Sequence, residues 1–268
     1  MIPNLLTIAG LDPSGGAGVA ADLKTFAALR AHGMAVVAAL TAQNTQEVLA
    51  IHVPPADFIS AQIDAIFSDI DVAAVKIGML ASGAIAEKVA QGLAFHRPRF
   101  IVLDPVLAAT SGNRLTTADT AKAIVKYLLP LATLITPNIP EAGELTGQAV
   151  TPDFDGQRRA ALELQELGAT AVLLKGGHAR GATSDDVLLD GEGFRVFSAP
   201  RIASGHTHGT GCTLSAAIAA YLAQGLELHA AIGAAKSYVS GAIAAADELS
   251  VGQGPGPLHH FHAMWRNK

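Results

Sequence analysis

Leu5-Leu6-Thr7-Ile8-Ala9-Gly10-Leu11-Asp12-Pro13-Ser14-Gly15-Gly16-Ala17-Gly18 passes from an apolar run through a glycine-rich loop into a helical pattern. Leu5 to Ala9 is short and almost wholly apolar, the mark of a strand buried on both faces. From Ala17 to His32, Leu23, Phe26, Ala27 and Leu29 fall on one face of a helix. A buried strand feeding a helix needs a parallel neighbour, and the apolar run Met34 to Thr41 supplies one.

The alternation continues outward. Helical spacing over Phe58 to Ile70, Ser82 to Phe95, Ala118 to Leu129 and Gly156 to Leu167 is interleaved with apolar runs at Val72 to Ile77, Phe100 to Leu103, Leu131 to Thr136 and Ala171 to Leu174. Such a series predicts an α/β fold with a mostly parallel sheet covered on both faces. Val187 to Leu189 and Phe194 to Phe197, joined around Gly191-Glu192-Gly193, read instead as a hairpin. The remainder is helical, from Thr210 to Gln224 and from Leu228 to Glu248. No linker, repeat or low-complexity tract interrupts the chain, so one domain over residues 1–268 is expected.

Half of the 268 residues are hydrophobic and 15% are charged, enough to bury a sizeable core and too apolar for a disordered chain. The net charge of -5, with no basic tract, argues against a nucleic-acid partner. Cys212 is the single cysteine, so an internal disulfide is excluded and a reducing compartment fits. Met1 to Asn4 carries no basic region, and no apolar run approaches the roughly 18 residues of a membrane span. A cytoplasmic protein with no membrane contact is the expectation.

In an open parallel sheet, ligands sit at the carboxyl ends of the strands, and polar motifs follow several strands here. The loop Gly10 to Gly18 has four glycines but neither the G-x-G-x-x-G spacing of a dinucleotide site nor the lysine of a P-loop. That leaves an unusual ligand loop or a tight structural connection. In Ala42-Gln43-Asn44-Thr45, the Gln43 amide matches a ring nitrogen beside an exocyclic amine, unless the segment only caps a loop. In Lys76-Ile77-Gly78-Met79-Leu80, Met79 is a platform for a flat ring or a core residue.

Asp104-Pro105-Val106 and Thr136-Pro137-Asn138-Ile139-Pro140-Glu141 put carboxylates at strand ends, as magnesium requires, although Glu141 and Glu144 also suit a helix start. Lys175-Gly176-Gly177-His178 offers a point charge for a phosphoryl group, or a solvated lysine. Thr207-His208-Gly209-Thr210-Gly211-Cys212-Thr213 opens a long helix, where Gly209, Thr210 and Gly211 can turn amides toward an anion. The same helix end is expected to lower the Cys212 thiol from its ordinary pKa of about 8.5, unless the residue is a buried structural cysteine. His259, His260 and His262 suggest zinc, but their spacing matches no standard site, and packing near the chain end is the expectation.

Taken together these motifs resemble the hydroxymethylpyrimidine/phosphomethylpyrimidine kinase family of thiamine biosynthesis, within the ribokinase-like superfamily. The resemblance runs from Ala9-Gly10 to Gly256-Pro257 and His259-His260-Phe261-His262. It implies a three-layer α/β/α sandwich, ATP and Mg2+ as cofactors, a small pyrimidine substrate phosphorylated twice, and a homodimer. It implies that Gln43 binds the pyrimidine while Gly10, Asp12, Ala17, Met79 and Val106 line the ring pocket. Gly209, Thr210, Gly211 and Cys212 would form an anion hole, with Cys212 as base. Glu141 and Asp104 would organise magnesium, and Asn138, Lys175 and Thr207 would contact ATP. Gly205-His206 stands where the family often has Lys-Asn. A pyridoxal or pyridoxine kinase and a non-catalytic pyrimidine-binding regulator are the alternatives.

Overall fold

The computed structural model describes residues 1–108, 115–178 and 181–265. Among the described residues nine strands form one sheet in the order β3-β2-β1-β4-β5-β6-β7-β8-β9. They are β1 (Asn4–Leu11), β2 (His32–Gln43), β3 (Val48–His52), β4 (Ala74–Ile77), β5 (Ile101–Leu103), β6 (Leu134–Ile135), β7 (Val172–Leu174), β8 (Thr183–Asp190) and β9 (Gly193–Pro200). From β2 across to β7 every neighbour is parallel, whereas β3 and the β8–β9 hairpin pair antiparallel at the two edges.

The helices are α1 (Gly18–Ala28), α2 (Ala56–Phe67), α3 (Gly83–His96), α4 (Thr120–Ala123), α5 (Ile139–Thr146), α6 (Phe154–Glu166), α7 (Thr210–Ala223) and α8 (Leu228–Ala244). They divide between two cores. One gathers Leu6 and Ile8 of β1 with Ile59, Ile85, Leu93 and Leu164 of α2, α3 and α6. The other gathers Leu5 with Phe26 of α1, Leu214 and Ile218 of α7, and Ile232 of α8. Alternate β1 side chains thus face opposite layers, as expected of a central strand buried on both sides. The result is the three-layer α/β/α sandwich implied by the motifs. No helix among the described residues is long and apolar enough to cross a membrane.

The element boundaries differ from expectation where turn chemistry intervenes. The first helix stops at Ala28 because Arg30 adopts a positive φ of 60°, which frees His32 to start β2. The helix expected over Ala118 to Leu129 is α4 continued by a π turn at Ile124–Leu128 and a 3-10 turn at Leu129–Leu131, where Pro130 interrupts the ladder. β3 carries no apolar–polar alternation. It exists because β2 outruns the sheet: Leu11 pairs with Leu40, so Thr41 to Gln43 project beyond β1 and pair back with β3.

Candidate active site

A cavity of about 690 Å³ lies along the carboxyl ends of the parallel strands. The strand order arranges its wall. Gln43 comes from β2, Gly10 and Asp12 from the end of β1, Met79 from beyond β4, and Asp104 and Val106 from beyond β5. Asn138 and Glu141 follow β6, and Lys175 follows β7. α7 packs beneath β1, β4 and β5, so its first turn enters near the middle of this row, bringing Thr207, Gly209, Thr210, Gly211 and Cys212 into the same wall. Ala17 closes the β1 side. The candidate residues, although spread over the whole sequence, therefore share one cavity.

On the β1 side the glycines have specific work. Gly18 has φ 55°, and a Cβ there would sit 2.1 Å from the Gly10 carbonyl oxygen. Asp12 organises the loop between them. Its carboxylate accepts from Ser14 N (2.8 Å), Ser14 Oγ (2.9 Å) and Ala17 N (3.0 Å), and it meets His208 Nε2 at 2.8 Å. Burial pushes this carboxyl up, but the bonds from His208 and Ser14 outweigh it and hold it below the ordinary range.

Gln43 sits at the last position of β2, where Thr41 Oγ1 lies 3.2 Å from its Oε1. The loop-capping alternative applies to its neighbour: Asn44 Oδ1 accepts from Gln46 N and Glu47 N at 2.8 and 3.0 Å. Met79 is both core and wall. It is buried, and its sulfur passes so close to Gly10 that a Cβ there would meet it at 2.9 Å.

At the other side Lys175 is an ion-pair hub rather than a solvated lysine. Its Nζ lies 2.6 Å from Asp104 Oδ1 and 3.8 Å from Glu141 Oε2. Asp104 is fully buried and also accepts from Thr136 Oγ1 (3.1 Å) and Ser215 Oγ (3.3 Å). Glu141 completes a capping box on α5: its Oε2 accepts from Asn138 N at 2.7 Å, and Asn138 Oδ1 accepts from Glu141 N at 2.9 Å. Burial, with Asp104 adding to it against Lys175, pushes the Glu141 carboxyl up to about 7.

Among the described residues no three His, Cys, Asp or Glu side chains gather to hold a metal. Asp104 and Glu141, two oxygen donors beside Lys175, fit a magnesium ion that keeps phosphate and water among its ligands.

The α7 entry is left-handed at Gly209, with φ 79°, and a Cβ there would lie 1.9 Å from the Gly16 carbonyl oxygen. The first helix-closing bond runs from Thr213 N to Gly209 O (2.9 Å), and Thr210 N already donates to Thr207 O (3.3 Å), so among the first-turn amides those of Gly211 and Cys212 precede any helix-closing acceptor. A Cβ on Gly211 would stand 3.1 Å from Lys175 Nζ, which places the lysine directly against this turn.

Cys212 departs from expectation. Burial, with Asp22 and Asp104 adding to it, pushes its thiol up to about 11, outweighing the nearby Lys76 ammonium and the Gly18 backbone. Lys76 is wholly buried, with its Nζ 2.9 and 2.8 Å from the two oxygens of Asp22.

A model of the phosphomethylpyrimidine kinase family matches residues 12–259. The chain belongs to the phosphomethylpyrimidine kinase family. A hydroxymethylpyrimidine/phosphomethylpyrimidine kinase from Rhizobium meliloti (strain 1021) is 49% identical over 98% of both chains. An ADP complex of Bacillus subtilis pyridoxal kinase superposes with a TM-score of 0.91 at 36% identity, covering 99% of this chain and 100% of that one. The pyridoxal kinase of Staphylococcus aureus in complex with AMP-PCP and pyridoxal gives 0.88 at 33%, covering 98% and 94%.

Beyond the expected residues, this member of the phosphomethylpyrimidine kinase family builds its cavity with His208, Thr41, Lys236 and Arg201. Lys236 of α8 pairs with Asp186 of β8 at 2.6 Å, and Asp186 also accepts from Gly176 N at 2.9 Å. Nothing in the local sequence marks these residues, because α8 and the hairpin meet the β7 loop only through the fold. His206 stands outside the cavity wall, 3.6 Å from Asp247. The C-terminal histidines pack as expected: His260 Nε2 lies 3.1 Å from Thr213 Oγ1, and burial lowers that ring to about 4.

Proposed function

We propose that this chain transfers the γ-phosphoryl group of ATP to the hydroxymethyl oxygen of 4-amino-5-hydroxymethyl-2-methylpyrimidine. It then adds a second phosphoryl group to give the diphosphate used in thiamine assembly. The observation that carries this is the shared cavity: Gln43 stands on its β2 side, Lys175, Asp104 and Glu141 on its β5-to-β7 side, and the α7 first turn between them. A ring held at Gln43 and a nucleotide on the Lys175 side would meet over that turn.

The attacking oxygen forms a bond to phosphorus as the bond to the bridging β–γ oxygen breaks, and ADP departs with that electron pair. The first-turn amides of α7 and the Lys175 ammonium face the charge that builds on the moving group. Glu141 and Asp104 would hold magnesium, which supplies further charge neutralisation at the phosphates when bound. The hydroxyl proton passes to the Cys212 sulfur in its thiolate form. A thiol at about 11 is mostly protonated at neutral pH, so the first step draws on a minor form of the enzyme. In the second step the acceptor is already a phosphate anion and needs no base.

The pyridoxal kinases of closely similar fold favour a second substrate reading, with pyridoxal in the ring site. Incubation with Mg-ATP and each alcohol separately, with products resolved by ion-exchange chromatography, tests both. Mono- and diphosphate from the pyrimidine support the first reading, and product from pyridoxal alone replaces it. The resemblance also carries the proposal of a cytoplasmic homodimer, whose mass light scattering would measure.

A further inference from the structure

His208 sits where the glycine loop after β1 meets the entry to α7. Its Nε2 lies 2.8 Å from Asp12 Oδ2 across a sequence separation of 196 residues, and the two side chains are 12% and 5% exposed. The contact is built for close approach. A Cβ on Gly16 would fall 2.3 Å from the His208 ring, and one on Gly209 would fall 1.9 Å from the Gly16 carbonyl oxygen. Two bare glycines therefore let the loop and the helix entry press together, and the His–Asp bond closes the contact.

A second connection reaches the same residue. His208 N donates to Gly256 O at 3.1 Å, and His208 bridges Pro257 in parallel. The segment leading to Gly256 is fastened to the turn after β2: Gly254 N donates to Thr45 Oγ1 at 3.1 Å, and a Cβ on Gly254 would fall 2.1 Å from the Thr45 carbonyl oxygen. One strap thus runs from the Gln43 turn to His208, while Asp12 ties the β1 loop to it directly. Both ring-side loops converge on the residue before Gly209.

We propose that His208 is a positioning residue that fixes the ring-binding loops against the phosphate-facing turn of α7, setting the distance between the acceptor hydroxyl and the transferring group. It acts through Asp12 and the strap. The Lys175 side of the cavity does not depend on it, because Lys175, Asp104 and Glu141 hold one another. The proposal rests on the kinase reading above, and its test separates the two.

The test compares His208→Ala, His208→Gln and Asp12→Asn with the parent protein. The pyrimidine and Mg-ATP are varied separately, and Cys212 alkylation by iodoacetamide is followed in the absence of substrates. For His208→Ala the expectation is a kcat lower by about 30-fold and a pyrimidine KM higher by about tenfold, with the ATP KM within about twofold. Alkylation should be about tenfold faster as the loop lifts from the helix entry. His208→Gln, which keeps a donor at the Nε2 position, should recover most of both readouts.

Equal losses in His208→Ala and His208→Gln, an ATP KM that rises in step with the pyrimidine KM, or unchanged alkylation in His208→Ala would each overturn the proposal. Should His208→Ala fail to fold, the alkylation rate of Asp12→Asn carries the test, since Asp12 also lines the cavity and its kinetic constants would not separate the two roles. Absence of pyrimidine phosphorylation in the parent would defeat the kinase reading while leaving the alkylation arm to decide the clasp.

Discussion

The Lys175 ammonium lies 2.6 Å from a carboxylate oxygen of Asp104, and a Cβ on Gly211 would touch it at 3.1 Å. One cation therefore balances a fully buried anion and faces the open turn of α7. Burial pushes the ammonium down, but Asp104 and Glu141 outweigh it and hold it above its ordinary range. Lys175→Met should lower kcat by about 10²-fold, as expected when a fixed positive group at a developing charge is lost. It should also cost about 3 kcal/mol of stability, because Asp104 stays buried with Thr136 and Ser215 as its remaining side-chain donors among the described residues. Urea denaturation and steady-state kinetics read the two losses. Unchanged kcat would remove Lys175 from the transfer step.

Glu141 gives a pH dependence of defined sign. Its carboxyl is raised from an ordinary 4.5 to about 7, so between those values the folded state holds more protons than the unfolded one. Stability therefore falls as pH rises through this window, and the loss is complete above about 7. Glu141→Gln keeps an acceptor for Asn138 N but has nothing to ionise. It should match the parent near pH 4.5 and exceed it by up to about 3 kcal/mol at pH 8, while losing magnesium-stimulated activity. Denaturation curves at pH 5 and pH 8 that stay parallel would show that Glu141 carries no such burden.

Two glycines one residue apart should behave differently. Gly209→Ala forces a left-handed conformation on alanine and drives its Cβ to within 1.9 Å of the Gly16 carbonyl oxygen, so stability should fall by about 1 kcal/mol or more. Gly211 follows it inside α7, where alanine is a better helix former. Gly211→Ala should keep the parent thermal midpoint, yet lose activity as its methyl group crowds Lys175 and Asp104. A fully active Gly211→Ala would mean that no phosphate uses that turn.

These contrasts show which parts of the protein were legible before its folding was known. Buried strands such as Leu5 to Ala9 are apolar on both faces, so a short unbroken apolar run ending at a glycine marks them. The strand-end motifs were equally visible, because ligand chemistry in a parallel sheet concentrates there. β3 was not, since its existence depends on β2 overrunning β1. Lys236 and Asp186 were not either: each is an ordinary charged residue until α8 and the β8–β9 hairpin pack beside the β7 loop. The direction of the Cys212 shift was not legible, because a helix end is a local feature of the sequence, whereas the burial that raises the thiol is a property of the whole fold.

That burial predicts a sluggish cysteine. With its pKa near 11, Cys212 should react with iodoacetamide at pH 7.5 well below the rate of a free thiol, speeding up about tenfold per pH unit up to pH 9. The first phosphorylation should share this slope if the thiolate takes the hydroxyl proton, and the second should not. Cys212→Ala should accordingly slow the first step more than the second. Equal slowing of both would leave Cys212 a part of the anion-facing turn and nothing more.

Behind that thiol, Lys76 and Asp22 form an ion pair with both side chains fully excluded from solvent, and Thr7 Oγ1 donates to the same carboxylate at 2.6 Å. Burial pushes the lysine ammonium down, but Asp22 outweighs it and keeps the charge in place. Breaking such a pair is costlier than removing it, because one partner alone leaves an uncompensated charge in the core. Lys76→Met should therefore destabilise by about 3–5 kcal/mol, and adding Asp22→Asn should recover a large part of that loss. The double variant should still lose first-step activity, since Lys76 also supplies positive charge beside Cys212. Urea denaturation of the four proteins gives the coupling energy directly. If the double variant is no more stable than Lys76→Met, the lysine is needed for its packing rather than its charge, and its influence on Cys212 must be sought in shape.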